Sequence, residues 1–171
     1  LCGNGTRCAI AYAHKKNIIK TDTIFEAYDG VHEATVVDDE LIEMQMKINS
    51  KITKNDYGLW VDTGSPHLII ESSNTDVIDV EKEGKLIRYS DNFRENGVNV
   101  NYVQKISDEV FKIRTYERGV EYETMACGTG STASALCMYF LGTTTIFCLL
   151  YTSVAAVVLR CVVVGGGGLG F

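Results

Sequence analysis

The sequence predicts an α+β fold built from two pseudo-symmetric half-domains, each a sheet wrapped around a central helix. Three observations carry this. Cys2-Gly3-Asn4-Gly5 opens a run of small and apolar residues suited to a helix, and Cys127-Gly128-Thr129-Gly130 opens another far along the chain. Residues 23–48 alternate apolar and polar side chains between turn residues, the pattern of an antiparallel sheet wet on one face. A second set of strand-like segments begins at Leu59 and, broken by a helix-like stretch at 77–89, leads to the second Cys-Gly-x-Gly segment. The expected boundaries are 1–54 for the first half-domain, 55–139 for the second and 140–171 for an apolar tail. A length of 171 residues accommodates this.

Residues 5–16 read as a helix whose closing pair, Lys15-Lys16, complements the C-terminal dipole. Cys8 is expected to be a buried thiol in it. Cys2 and Cys8 lack the close pairing of a zinc site. Ile24–Tyr28 and Val31–Val37 form a hairpin about Asp29-Gly30, and Leu41–Ile48 adds a third strand after a solvated turn at Asp38, Asp39 and Glu40. His32 is expected at the surface. Residues 51–57 read as a polar linker. Leu59–Asp62 enters a second sheet, Gly64-Ser65-Pro66-His67 interrupts it with the chain's one proline, and Leu68–Ile70 continues it. His67 on its own is balanced between a functional and a satisfied structural histidine. Residues 77–89 read as a helix, weakened by Gly84. Asn96-Gly97 turns into the strand 98–103, which places Asn99 and Asn101 on one face, opposite the valines. Ser107, Asp108 and Glu109 turn into the strand 110–116, which delivers Glu117 and Arg118. By themselves Asn99 and Asn101 are exposed strand polars, and Glu117-Arg118 is a surface ion pair worth at most about 1 kcal/mol.

The two Cys-Gly-x-Gly segments are where chemistry concentrates. A cysteine at a helix N-terminus meets unpaired N–H groups and the positive end of the dipole, which favour a thiolate. The glycines let the backbone approach a bound carboxylate or phosphate. Two such cysteines admit two readings. One is a disulfide. The other is proton transfer on opposite faces of one carbon, with one sulfur as base and the other as acid, while the helix N-termini hold the adjacent carboxylate and stabilise its developing charge.

In Cys2-Gly3-Asn4-Gly5-Thr6-Arg7-Cys8, Gly64-Ser65-Pro66-His67, Asn96-Gly97-Val98-Asn99-Val100, Tyr116-Glu117-Arg118-Gly119 and Ala126-Cys127-Gly128-Thr129-Gly130, the chain resembles the diaminopimelate epimerases. The blocks stand in the family's order and cover about residues 1–137. The resemblance implies cofactor-independent epimerisation of LL-2,6-diaminopimelate to the meso form, in lysine and peptidoglycan precursor synthesis, with Cys2 and Cys127 as the acid/base pair. It implies that His67 and Glu117 tune the thiols. It implies substrate contacts from Gly3, Asn4, Ser65, Asn99, Glu117, Arg118, Gly128 and Thr129, with Arg118 holding a carboxylate in fork geometry. Many family members carry Asn where this chain has Ser65, and the link 120–125 is one residue longer than in many. No metal and no other cofactor is implied, and a homodimer is among the expectations. The family carries a substantial segment ahead of Cys2, so the first half-domain is expected to be truncated and the isolated chain inactive. The alternatives are another cysteine-pair racemase, such as a proline racemase-like enzyme, and a redox protein with a Cys2–Cys127 disulfide.

A net charge of −6 with no basic stripe argues against nucleic acid as a partner. Six cysteines without a visible signal peptide or a small loop-rich frame read as thiols in a reducing, cytoplasmic compartment, with Cys137, Cys148 and Cys161 buried in apolar runs. Leu141–Leu159 is uncharged and approaches the roughly 20 residues that span a bilayer, but its threonines and Gly165–Gly168 make it a poor span. Cys148–Ser153 resembles one translated frame of a transposon adapter used in sequencing libraries. The tail is therefore expected to be artefactual read-through, the family's closing strands absent, and the intact enzyme free of membrane.

Overall fold

A computed structural model describes residues 2–38, 41–48, 50–108, 110–144, 147–151 and 156–160. The chain divides into two compact units, Leu1–Lys47 and Ile48–Phe171. Each unit pairs a sheet with a 13-residue helix that starts immediately after a cysteine.

In the first unit, helix α1 (Gly3–Lys15) precedes strands β1 (Asp22–Ala27), β2 (Gly30–Val36) and β3 (Ile42–Met44), an antiparallel sheet in the order β1-β2-β3. Ala27 pairs with Gly30 around the predicted turn. Ile10 of α1 packs with Ala34 and Val36, bordered by Ile19, Phe25, Ile42 and Met44. Cys8 is exposed, contrary to expectation. It stands two residues before Ile10, about 200° round the helix from the covered stripe. His32 is fully buried rather than at the surface. It shares the inward phase of Ala34 and Val36 along β2. Its Nδ1 lies 3.1 Å from the Gln45 carbonyl and its Nε2 3.1 Å from Asp29 Oδ1, with the Phe25 ring stacked on it at 5.3 Å. Burial pulls the Asp29 carboxyl up, but the bonds from His32 and its own backbone outweigh this and leave it below the usual carboxylate range. Of the expected turn at 38–40, Asp38 accepts the Leu41 N–H at 2.8 Å; Asp39 and Glu40 lie outside the described residues.

The second unit carries β4 (Thr53–Lys54), β5 (Leu59–Asp62), β6 (Pro66–Glu71), β7 (Asn99–Lys105), β8 (Val110–Glu117), β9 (Tyr122–Thr124), β10 (Phe147–Tyr151) and β11 (Ala156–Arg160). They form one sheet in the order β11-β10-β8-β7-β6-β5-β4, with β9 also on β8. β6–β7 and β8–β10 are parallel pairs and the rest antiparallel. Helix α2 (Val80–Arg88) and helix α3 (Gly128–Phe140) take opposite faces. Leu59, Val61, Ile69, Val103, Phe111 and Ile113 pack on Ala133, Ala135, Cys137 and Met138 of α3. The alternate residues Leu68, Val100, Tyr102 and Tyr116 pack around Val80 of α2. Residues Thr129–Met138 are all buried, and α3 touches β5, β6, β7, β8, β10 and β11, so the sheet wraps a central helix as predicted. The small side chains Ala133, Ser134 and Ala135 permit that close packing.

Several local readings change. The polar stretch 51–57 contains β4, paired with β5, and Ile52 packs against the core. The helix expected over 77–89 is a 3-10 turn at Thr75–Val77 followed by α2, which starts at Val80 because Asp79 Oδ1 accepts the Lys82 N–H at 3.1 Å. Gly84 is a packing requirement: a Cβ there would sit 2.5 Å from Tyr116 Cβ. His67 lies inside β6, not in the loop before it. Glu109 lies outside the described residues. The stretch expected to lack closing strands adds β10 and β11 to the sheet edge at β8, and no described helix is long and apolar enough to cross a membrane. Residues 152–155 and 161–171, including Cys161 and Gly165–Gly168, lie outside the described residues, as does the side chain of Cys148.

Gly84→Ala gains about 1 kcal/mol of helix propensity but forces α2 off Tyr116, so a net loss of about 1–2 kcal/mol is expected. A lowered urea midpoint checks this; an unchanged or raised midpoint contradicts it.

Candidate active site

The N-terminus of α3 is the centre of the second unit's polar cluster. Cys127 is the N-cap, with extended backbone at φ −127° and ψ 107°. Its carbonyl accepts the first helical bond, from Ser131 N at 2.8 Å. The N–H groups of Gly128, Thr129 and Gly130 therefore precede the first intrahelical donor, and no acidic side chain occupies that turn. A Cβ at residue 130 would lie 2.5 Å from Asn101 Oδ1 and 3.3 Å from Cys127 Sγ. Only glycine lets strand β7 and the thiol close in together at this point.

A chain of hydrogen bonds runs inward from the sulfur. Cys127 Sγ lies 3.4 Å from Thr129 Oγ1, and Thr129 Oγ1 lies 2.9 Å from His67 Nε2. His67 Nδ1 lies 3.1 Å from Asn101 Nδ2. The Thr115 hydroxyl donates to Asn101 Oδ1 at 2.9 Å, and the Thr63 hydroxyl donates to the Thr129 carbonyl at 2.9 Å. Strand register makes this assembly: β6 pairs His67 with Asn99, and β7 pairs Asn101 with Thr115 of β8. His67 is fully buried. That burial, followed by the positive charge of Arg118, drives its imidazole down to about 3. It is neutral across the physiological range.

A second set lies at the ends of β6, β7 and β8. Asn99 Nδ2 donates to Ser65 Oγ at 2.8 Å and to the Pro66 carbonyl at 2.9 Å, while its Oδ1 accepts the Arg118 N–H at 2.8 Å. Arg118 Nη1 donates to the Asn96 carbonyl at 2.7 Å. Glu117 Oε2 accepts the Thr124 hydroxyl at 2.8 Å. Asn99 is thus buried and ties the Ser65 loop to the Arg118 turn, where the isolated sequence made it an exposed strand polar.

The first unit repeats the helix device. Cys2 is the N-cap of α1 with φ −108° and ψ 102°, and its carbonyl accepts Thr6 N at 2.9 Å. Gly3 is buried, Asn4 is exposed and accepts Arg7 Nη2 at 2.6 Å, and a Cβ at residue 5 would lie 3.4 Å from Cys2 Sγ. Cys2, Cys8 and Cys137 take part in no disulfide. Burial pushes the Cys137 thiol up to about 12, so it is inert filling in the α3 core. Among the described residues, no three His, Cys, Asp or Glu side chains gather as metal ligands.

The structure thus gathers Cys127, Thr129 and His67 in one network, and Ser65, Asn99 and Arg118 in another, while Cys2, Gly3 and Asn4 belong to the first unit. Thr63, Asn101 and Thr115 are network members that sequence reasoning did not single out. The only signal for Asn101 was its shared strand face with Asn99.

The family model for diaminopimelate epimerase matches residues 59–146, just over half of the chain. The chain belongs to the diaminopimelate epimerase family. It is 47% identical over 144 residues to the diaminopimelate epimerase of Flavobacterium psychrophilum, covering 84% of this chain and 56% of that protein. It is 43% identical over 153 residues to that of Hydrogenobaculum sp., covering 83% and 55%, and 38% identical over 151 residues to that of Aquifex aeolicus, covering 83% and 54%. The chain spans about half the length of the curated relatives it matches. The family match includes four of the five motif blocks; the Cys2–Cys8 block lies ahead of it.

His67 gives the second unit a signature in its acid stability. The folded imidazole titrates near 3, below its unfolded value of about 6.5, so as pH falls the unfolded chain takes up the proton first and stability is lost. Between about pH 7 and about pH 5 this removes roughly 2 kcal/mol. His67→Gln is expected to flatten that part of the profile, measured by urea denaturation at both pH values; an identical acid slope in the two proteins contradicts a buried neutral His67.

Proposed function

We propose that the intact protein epimerises LL-2,6-diaminopimelate to the meso form without a cofactor, with Cys2 and Cys127 as the acid/base pair. The observation that carries this is the repeated device: in each unit a cysteine caps a 13-residue helix, followed by glycines at the first and third helical positions. Family membership supports the substrate. In the forward step, one thiolate takes the proton from the α-carbon and becomes a thiol. The electron pair stays on carbon, delocalised into the adjacent carboxylate, and the other thiol gives its proton to the opposite face and becomes a thiolate. The reverse reaction exchanges the roles.

The remaining residues bind and bias. Gly128 and Thr129, with Gly3 and Asn4 in the first unit, would offer N–H groups to the reacting carboxylate, where charge grows in the transition state. Arg118 would hold a substrate carboxylate, with Asn99 and Ser65 shaping that pocket. Glu117 and His67 would keep the two sulfurs in different protonation states, because two thiolates at one carbon repel. Both thiols must stay reduced, which suits a cytoplasmic setting.

Cys2→Ala and Cys127→Ala, in the protein extended to the length of its relatives, should each lower epimerisation by about 10³-fold or more. Chiral separation of the diaminopimelate isomers reads this. If either folded variant keeps more than about a tenth of the activity, the two-cysteine reading fails.

A further inference from the structure

We infer that Asn101 is a positioning residue that fixes the direction of the hydrogen-bond chain ending at Cys127, so that the Thr129 hydroxyl hydrogen points at the sulfur. The inference deepens the proposed role of Cys127 as an acid/base thiol and rests on it.

The direction follows from which groups can only accept. The amino end of Asn101 faces two backbone carbonyls, Leu68 at 3.1 Å and Asn99 at 3.3 Å, and neither can donate. Its oxygen end takes the Thr115 hydroxyl at 2.9 Å. The amide is therefore locked with its hydrogens towards β6. His67 Nδ1 lies 3.1 Å from that amino group, and a hydrogen on Nδ1 would face another donor at that distance. Nδ1 must be bare. In the neutral ring the hydrogen then sits on Nε2, which points at Thr129 Oγ1 at 2.9 Å. Thr129 Oγ1 accepts that hydrogen, so its own hydrogen is released towards Cys127 Sγ at 3.4 Å. A hydroxyl donor at sulfur favours the thiolate. The link also explains Gly130, since any side chain there would strike Asn101 Oδ1.

Asn101→Asp should reverse the chain. The carboxylate would draw the ring hydrogen to Nδ1, Nε2 would accept from Thr129, and the sulfur would lose its donor. No proton is gained or lost by the neutral ring in this change; only the tautomer moves.

The test is ¹⁵N NMR of the full chain labelled with [¹⁵N]histidine, which carries three histidines, with His67 assigned by His67→Gln. The wild-type protein should show a pyridine-type Nδ1 and a pyrrole-type Nε2 at residue 67. The opposite pattern overturns the inference without need of any variant. Alkylation of Cys127 by iodoacetamide, followed by peptide mass spectrometry, reads the far end. Asn101→Asp and Thr129→Val should each slow it about tenfold or more, and Thr129→Ser should return it to within about twofold of wild type. If Asn101→Asp does not fold, the Thr129 pair decides: equal rates in Thr129→Val and wild type overturn the inference. Neither readout uses epimerisation, so a wrong substrate assignment leaves them unchanged, whereas a wrong chain direction fails here first.

Discussion

Asn101 can reach the start of α3 because residue 130 has no side chain, and that single close approach sets where the helix N-terminus sits on the sheet. With Asn101 Oδ1 2.5 Å from the point a Cβ would occupy, nothing larger than glycine is tolerated. The approach also commits β6, β7 and β8 to one register, because Asn101 bonds to His67 on one side and Thr115 on the other. His67, Thr63, Asn99, Asn101, Thr115 and Thr129 are all buried. Each of these polar groups would cost about 1–3 kcal/mol if left without a partner. A slip of one residue in β7 would turn both asparagines to the opposite face and strand the whole set.

The two thiols of α3 show how position decides chemistry within one helix. Cys137 lies in the apolar core with Met138 and Phe111, and burial holds it protonated. Cys127 lies ten residues earlier, at the N-cap where the helix begins, with a hydroxyl against its sulfur. Cys2 occupies the same kind of position at α1, and the exposed Cys8, farther along that helix, has no part in the device.

Much of this was legible. The Cys-Gly-x-Gly segments mark both helix starts because a capping cysteine and permissive glycines are local features, and the turn at Asp29-Gly30 is local too. What the sequence hid depends on tertiary packing. His32 looks like a surface residue until its phase with Ala34 and Val36 is joined to knowledge of which face of β2 is covered. Gly84 reads as a helix weakness because the Tyr116 side chain that needs its space lies on a distant strand. Asn101 carries no motif; its role exists only once parallel pairing brings β6 beside β7. The strands β10 and β11 were missed because an uncharged run of threonine, valine and leucine has no period that separates a strand from a membrane span or from meaningless sequence.

The claim that two sulfurs act on opposite faces of one carbon is tested most directly by the isotope in the first product. The protein extended to its relatives' length would be given protiated LL-diaminopimelate in D₂O and stopped early. Two acid/base groups predict meso product carrying deuterium at the inverted carbon, while the remaining substrate stays protiated. Protiated product would mean that one group carries the same hydrogen across the carbon, and would contradict the account.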